Sequence, residues 1–282
     1  MMSQTIPDES PMRYLVNGEA QETLSIHDRG LHYGDGLFET MAVVNGALPL
    51  WELHMARLCS DAWRLGIPPP EPALLQAEAA RLCAGVSRGV LKIILTRGAG
   101  RGYRIPQGAT ATRILYRYPW PAWPASHADH GVRVRICDMR LAGNPRLAGI
   151  KHLNRLEQVL ARSEWQDEDI AEGLLLDQAG HVIEGTQSNL FIVRGDRLLT
   201  PMLSQCGVAG VMRGLIMAQA QQLAIACEEA DLRLAQVLEA DEVFLCNSLM
   251  GIWPVRAIGE VTYPDGEITR RLAQHVRRLQ AG

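Results

Sequence analysis

The spacing of apolar positions changes repeatedly along this chain, and each change marks an element. From Trp51 to Leu65 the apolar residues fall at 51, 55, 58, 62 and 65, which is one face of a helix. Ile67 and the three prolines that follow stop it, and Pro72 opens a second helix that continues to about Cys83. Upstream, Met12 to Val16 alternates weakly and meets Asn17-Gly18, a hairpin signal that predicts a second short strand to Leu24. Ser25 to Gly30 reads as a loop. Leu37 to Val44 is β-prone and ends at another hairpin turn, Asn45-Gly46, before Ala47 to Leu50. Val90 to Thr96 and Ala111 to Tyr118 are expected in the same sheet.

The pattern then breaks. Tyr118-Pro119-Trp120-Pro121-Ala122-Trp123-Pro124 continues neither period, because proline deletes a backbone donor and forces its predecessor extended. A linker over 119–130 is therefore expected between a smaller N-terminal α/β domain, 1–118, and a larger C-terminal domain, 131–282. In the latter, strands are predicted at Val132–Cys137, Gly173–Leu176, Val182–Ile183, Leu190–Val193, Val243–Cys246 and Ile252–Ile258. Helices are predicted at Asn154–Gln166, at Val208–Ala226 as the longest helical stretch, and at Ile268–Gln280 as a basic closing helix. The fold class is α/β or α+β in two lobes, with the site expected between them.

Composition narrows the function. Apolar residues at 47% and charged residues at 21% describe an ordinary soluble globular protein, and a net charge of −3 without a basic tract argues against a nucleic-acid partner. Met1 to Pro11 is polar and acidic rather than charged-then-apolar, and no apolar run reaches the ~20 residues that span a bilayer, so no membrane partner and a cytoplasmic location are expected. The six cysteines are scattered without a Cys-x-x-Cys pair, so neither a metal site nor a disulfide framework is indicated.

One feature of the charge changes the picture. The chain has 28 lysines and arginines together, but only two are lysines, Lys92 and Lys151. Guanidinium serves wherever a charge or a fork of donors is enough, but it cannot lose a proton or attack a carbonyl, so a retained lysine is a candidate for imine chemistry. Lys151 follows the apolar run Leu147 to Ile150 and precedes an amphipathic stretch, a place where an amine can be desolvated; Lys92, inside a predicted strand, is the rival.

Imine chemistry through pyridoxal phosphate needs a lysine, a partner for the pyridine nitrogen, a phosphate cradle and an apolar sandwich for the ring. Glu184, after an apolar strand and before a small-residue turn, could keep the ring nitrogen protonated; alone it reads more readily as a surface turn glutamate. Gln205-Cys206-Gly207-Val208-Ala209-Gly210 runs into a helix whose free amides suit an anion. His54 and Arg57 share a helical face, with Arg57 a possible phosphate partner. The flexible loop Thr96-Arg97-Gly98-Ala99-Gly100-Arg101-Gly102-Tyr103-Arg104 could clamp carboxylates or simply be solvated.

Taken together, Leu31-His32-Tyr33-Gly34-Asp35-Gly36-Leu37-Phe38-Glu39-Thr40, His54-x-x-Arg57-Leu58, Ile150-Lys151-His152-Leu153-Asn154, Glu184-Gly185-Thr186-x-Ser188-Asn189-Leu190-Phe191 and Gly207-Val208-x-Gly210-x-x-Arg213 resemble the fold-type IV pyridoxal-phosphate enzymes in order and spacing. The resemblance covers nearly the whole chain from Met12. It implies the two-domain fold of the D-amino acid aminotransferases, with Lys151 as cofactor lysine and catalytic base and Glu184 on the ring nitrogen. It also implies cofactor contacts from Arg57, Asn189, the amides of Val211 and Met212, and the Ser248 hydroxyl. Within the family, Asn144 to Gln158, Thr96-Arg97-Gly98 with Arg101-Gly102-Tyr103, and Cys246-Asn247-Ser248-Leu249-Met250 are similar to the aminodeoxychorismate lyases. That implies a small dicarboxylate substrate held by Tyr33, Phe38, Arg97, Arg101 and Asn247, β-elimination to 4-aminobenzoate and pyruvate in folate biosynthesis, and a homodimer. A branched-chain or D-amino acid aminotransferase is the alternative.

Overall fold

The computed structural model describes residues 13–280. A first sheet holds β1 (Tyr14–Val16), β2 (Gly36–Val44), β3 (Arg88–Thr96) and β4 (Thr112–Pro119), antiparallel in the order β1-β4-β3-β2. With it come helices α1 (Arg29–Tyr33), α2 (Trp51–Leu65) and α3 (Pro72–Cys83). Because side chains alternate across a strand, Leu37, Met41, Leu91, Ile93 and Leu95 point one way and form a core with Met55, Leu58, Leu75 and Leu82 of α2 and α3. The opposite face of β2 and β3 carries Phe38 and Thr40 beside Ile94 and Lys92, in the register Phe38↔Ile94 and Thr40↔Lys92.

The second sheet is nine-stranded and mixed. Its strands are β5 (Val132–Leu141), β6 (Ile170–Asp177), β7 (Val182–Gly185), β8 (Asn189–Arg194), β9 (Arg197–Pro201), β10 (Ala226–Ala230), β11 (Glu242–Asn247), β12 (Gly251–Ile258) and β13 (Val261–Thr262), in the order β10-β9-β8-β11-β12-β5-β6-β7 with β13 on β12. The helices are α4 (Ser126–His130), α5 (Leu156–Arg162), α6 (Val211–Gln222), α7 (Leu234–Leu238) and α8 (Glu267–Gln280). Leu190 to Val193 are all buried, which explains why β8 is apolar without alternation. Ile216 of α6 and Leu272 of α8 pack with Phe191 and Phe244 in one core on this sheet.

Several elements depart from the periodicity. The expected second strand to Leu24 does not form: one bridge joins Val16 to Glu19, and the polar residues beyond it are exposed. Met12 lies outside the described residues. The predicted helix from Val208 is shorter, since Val208 pairs with Gly149 and Gly210 caps the helix, while a left-handed Ala224 ends the segment ahead of β10. At 12 residues it is shorter than α2, with 15. The Asn154–Gln166 helix contracts to α5, and the proline-rich linker region contains the short helix α4.

The segment between β5 and α5 positions the site. It is stitched to the first sheet by Phe38 N–H to Lys151 O at 3.1 Å and Leu153 N–H to Gly36 O at 3.0 Å. Two residues earlier it is stitched to the loop before α6, by Gly149 N–H to Gly207 O and Ala209 N–H to Gly149 O, both 2.9 Å. Lys151 therefore stands on a short rung between the two sheets.

Candidate functional site

Lys151 Nζ lies 4.2 Å from the centroid of the Phe38 ring, and Lys92 Nζ lies 5.1 Å from the same centroid. Both lysines of the chain thus converge on one aromatic ring. Burial, and next the Arg57 guanidinium, hold the Lys151 amine down at about 8, so about a tenth of it is neutral at pH 7, far more than for an exposed lysine. Burial also lowers Lys92. Sequence reasoning treated Lys92 only as a rival; the structure makes it a neighbour.

Behind Phe38, Glu39 points to the other face of β2 and is 1% exposed. Its carboxylate receives a fork from Arg57, Nε to Oε1 at 2.8 Å and Nη2 to Oε2 at 2.5 Å, and His54 Nδ1 at 2.7 Å. Burial alone would raise Glu39, but the His54 and Arg57 contacts outweigh it and hold the carboxyl below its ordinary value. Burial keeps His54 below its own ordinary value, and its Nε2 is buried without a partner, as suits a neutral imidazole that donates from Nδ1. Arg57 also donates to Ala209 O at 3.0 Å, so the guanidinium is oriented at the loop leading to α6.

Glu184 at the end of β7 is buried, which raises its carboxyl. Its surroundings are donors: Val208 N–H reaches Oε2 at 2.8 Å and Gln158 Nε2 reaches Oε1 at 3.3 Å, while the nearby Arg155 and Lys151 charges favour the ionised form. The cradle before α6 is built so tightly that only glycine fits. A Cβ at Gly210 would lie 2.0 Å from Asn189 Oδ1, and one at Gly207, where φ is +85°, would lie 2.7 Å from Ile183. Asn189 braces that turn by donating to Val208 O at 2.9 Å. Gly210 leaves the α6 N-terminus without a side-chain cap, so the Val211 and Met212 amides and the helix dipole are available to an anion beside Arg57. Ser248 sits in the turn after β11, which Asn247 organises by accepting from the Leu249 and Met250 amides, both at 2.9 Å.

These residues fit pyridoxal phosphate: a desolvated amine over an aromatic ring, a buried carboxylate facing donors, and a capless helix start flanked by an arginine. Two cavities flank the arrangement. One of about 410 Å³ lies between α2 and α6 and includes Arg57, Asp61 and Arg64; the other, of about 250 Å³, includes His152, Arg155 and Gln158.

The substrate residues divide. Arg97 is 5% exposed and clasps Asp35 through Nε at 2.8 Å and Nη2 at 3.0 Å, then donates to Leu65 O at 2.8 Å and Gly66 O at 2.6 Å. Four of the five donors a guanidinium has are thereby engaged inside the fold, which gives Arg97 a structural duty in place of the carboxylate clamp expected of it. Arg29 Nε takes the same Asp35 oxygen at 2.8 Å, and the two guanidiniums hold that carboxyl below its usual range despite its burial. Tyr33 accepts the Gly102 amide at 3.0 Å, and Arg29 donates to Gly102 O at 2.5 Å, so the loop that carries exposed Arg101 is held at its middle. Asn247 spends its Oδ1 on the turn and donates from Nδ2 to Gln187 O at 3.1 Å.

Sequence reasoning assigned no role to Glu39, to Asp61 or to Glu172, whose buried carboxylate takes the Gly173, Thr186 and Gln187 amides and the Thr186 and Ser188 hydroxyls and so shapes the turn after Glu184. The signal that was present is the same for Glu39 and Glu172: an acid set in an apolar strand.

Comparison with known proteins agrees with this construction. The model of the amino-transferase class IV family matches residues 36–258. A crystal structure of 4-amino-4-deoxychorismate lyase from Pseudomonas aeruginosa superposes with a TM-score of 0.91 at 50% identity, covering 94% of this chain and 98% of that one. An aminodeoxychorismate lyase of Vibrio harveyi is 37% identical over 92% of this chain and 97% of its own length. The branched-chain amino acid aminotransferase of Escherichia coli superposes with a TM-score of 0.83 at 25% identity, over 93% and 92%. With the family match spanning both sheets apart from β1 and β13, and every residue of the Lys151 site described above except Arg29, Tyr33 and Asp35, this chain belongs to the class IV aminotransferase family.

Proposed function

We propose that this protein is a pyridoxal-phosphate-dependent lyase that converts 4-amino-4-deoxychorismate to 4-aminobenzoate and pyruvate. The observation that carries the reading is the gradient of likeness: 50% and 37% identity to two lyases of this specificity, against 25% and 29% to aminotransferases of the same family. The site is compatible with it, because Lys92 adds a second cationic group next to Lys151, on the sheet face where a dicarboxylate would need one. With Arg97 committed to Asp35, Lys92 and the exposed Arg101 are the cations assigned to the substrate carboxylates.

Lys151, Glu184, Arg57, the Val211 and Met212 amides and Ser248 are assigned to the cofactor, which supplies an electron sink for the carbon that bears the substrate amine. Glu184 would face the ring nitrogen and favour its protonated form. Arg57, fixed by Glu39, would meet the phosphate. The neutral Lys151 amine takes the proton from C4 of the substrate ring. Loss of that proton and of the C3 enolpyruvyl ether makes the ring aromatic, and the same proton, returned by Lys151, is the one the departing enolpyruvate needs to become pyruvate. Protons and electrons balance without an oxo acid.

Exposed apolar side chains on α5, Leu156, Val159 and Leu160, together with Ile26, Leu31, Tyr103 and Ile105, support a homodimer. Six free cysteines support a reducing, cytoplasmic setting, and no helix among the described residues is long and apolar enough to cross a membrane. The test is product analysis on purified protein loaded with pyridoxal phosphate. Expected are equal amounts of 4-aminobenzoate and pyruvate from aminodeoxychorismate, unaffected by 2-oxoglutarate, and a borohydride label on the peptide containing Lys151. Dependence on an oxo acid with no 4-aminobenzoate would establish the aminotransferase instead.

A further inference from the structure

The inner face of α2 makes three contacts in a row, one to the loop before α6 and two to the Lys151 segment. Arg57 donates to Ala209 O at 3.0 Å, Asp61 Oδ2 accepts the Lys151 main-chain N–H at 3.0 Å, and Arg64 donates to Ala148 O at 3.0 Å. Spacings of four and three place these side chains on one helical stripe. The two arginines satisfy carbonyls, which any cation could do. Asp61 is the unusual member. It is a buried acid, and among the described residues the Lys151 amide is its hydrogen-bond partner, with no cation in direct contact. A carboxylate taken out of water for one amide is a costly acceptor.

Lys151 is clamped by this contact. Its amide is held by α2, and its carbonyl accepts from Phe38 N–H of β2 at 3.1 Å. Phe38 also supplies the ring under Nζ. With both faces of the residue's backbone pinned, its Cα–Cβ bond has one direction, and the four-carbon stem carries the amine to a defined point. Without the α2 contact, only the strand side remains, and the residue can pivot about it.

We propose that Asp61 is a positioning residue for Lys151: it fixes the lysine's main chain from α2 so that the amine meets the cofactor aldehyde in place. The inference rests on the assignment of Lys151 as the cofactor lysine. Its demand is for an oxygen acceptor of the right length. Asp61→Asn keeps that oxygen and loses the charge; Asp61→Ala loses both.

The chain's two lysines make the test direct, because protein labelled with [15N]lysine has two backbone amide signals, those of Lys92 and Lys151. Hydrogen exchange of both is followed in the full-length apoprotein, and pyridoxal phosphate affinity is measured by absorbance. In Asp61→Ala, Lys151 exchange should accelerate roughly 10-fold or more and cofactor affinity should fall roughly 10-fold, the loss expected for one hydrogen bond to a charged group, while Lys92 exchange stays unchanged. Asp61→Asn should restore both. If Asp61→Ala disturbs the Lys92 signal, and so the fold, Asp61→Leu, of similar size and without an acceptor, replaces it under the same criteria. Wild-type Lys151 exchange in the variant without an acceptor overturns the proposal. So does unchanged cofactor affinity there, or an Asn variant no better than Ala. A borohydride label recovered on Lys92 would instead overturn the assignment of Lys151, and the amide result would still report on the contact.

Discussion

Replacing Glu39 with alanine is the most informative single perturbation, because the structure ties two separable effects to it. The first is stability. Glu39 is 1% exposed and receives both arms of Arg57 and the Nδ1 of His54, itself 1% exposed. Removing one partner of a buried pair strands the other charge at a cost of about 3–5 kcal/mol. For a chain of 282 residues, at about 2.1 cal/mol/K of unfolding entropy per residue, that is a fall in Tm of about 5–8 °C. The second effect is on Lys151. Glu39 is among the charges that favour its ammonium form, against burial and Arg57, so its removal should move the amine below about 8. Since Glu39 itself is held below its ordinary carboxyl value, its contribution is present above the unfolded value and is lost as pH falls through the folded one. The gap between wild type and variant should therefore be full at neutral pH and shrink in acid. Thermal melts across pH and the pH profile of cofactor capture measure these effects. A Tm change under about 1 °C at neutral pH, or a gap that widens in acid, would refute the account.

Three further outcomes are expected. Capture of pyridoxal phosphate by the apoprotein should rise with pH to a midpoint near 8, the value to which burial brings Lys151, rather than near that of an exposed lysine; stopped-flow absorbance across pH decides it. Arg97→Ala should cost stability of about 1–3 kcal/mol in urea unfolding because it removes two hydrogen bonds to Asp35 and leaves that carboxylate to Arg29 alone, whereas Arg101→Ala and Lys92→Ala should leave stability and raise KM about 10-fold or more. Glu184→Gln should keep the cofactor bound but lower turnover roughly 100-fold, read as kcat against the visible spectrum.

The helices over Trp51–Leu65 and Pro72–Cys83 were legible because one long apolar stripe per helix is enough to specify each. Lys151 stood out through residue chemistry, as a rare amine, whereas Glu184 took its assignment from the family resemblance; the structure sets the two buried side chains close enough to act on each other's charge. What stayed hidden were acids whose meaning is a partner far along the chain. Glu39 answers Arg57, Asp61 answers the Lys151 amide, and Asp35 answers Arg97, which lies 62 residues away. No local period encodes such a pair. For the same reason Arg97 read as a substrate clamp, since a glycine-flanked arginine in a loop looks free until its tertiary acceptor is known. The missed second strand at Glu19–Leu24 failed otherwise: the turn signal at Asn17-Gly18 was real, with both residues at positive φ, but the polar residues after it had no face to bury.

The rung that carries Lys151 has a consequence for how the molecule could be divided. Cut in the proline-rich stretch near Trp120, the chain would yield two fragments, each with a whole sheet. Yet Lys151, the proposed cofactor lysine, would leave with the C-terminal fragment, while the acceptor of its amide, the donor to its carbonyl and the ring beneath its amine, Asp61 and Phe38, would stay in the other. The proposed phosphate cradle would be severed in the same way, Arg57 from the α6 amides. Neither fragment would inherit a diminished enzyme. Chemistry in this molecule is a property of the seam, and mixing the two fragments should recover it only to the extent that the seam re-forms.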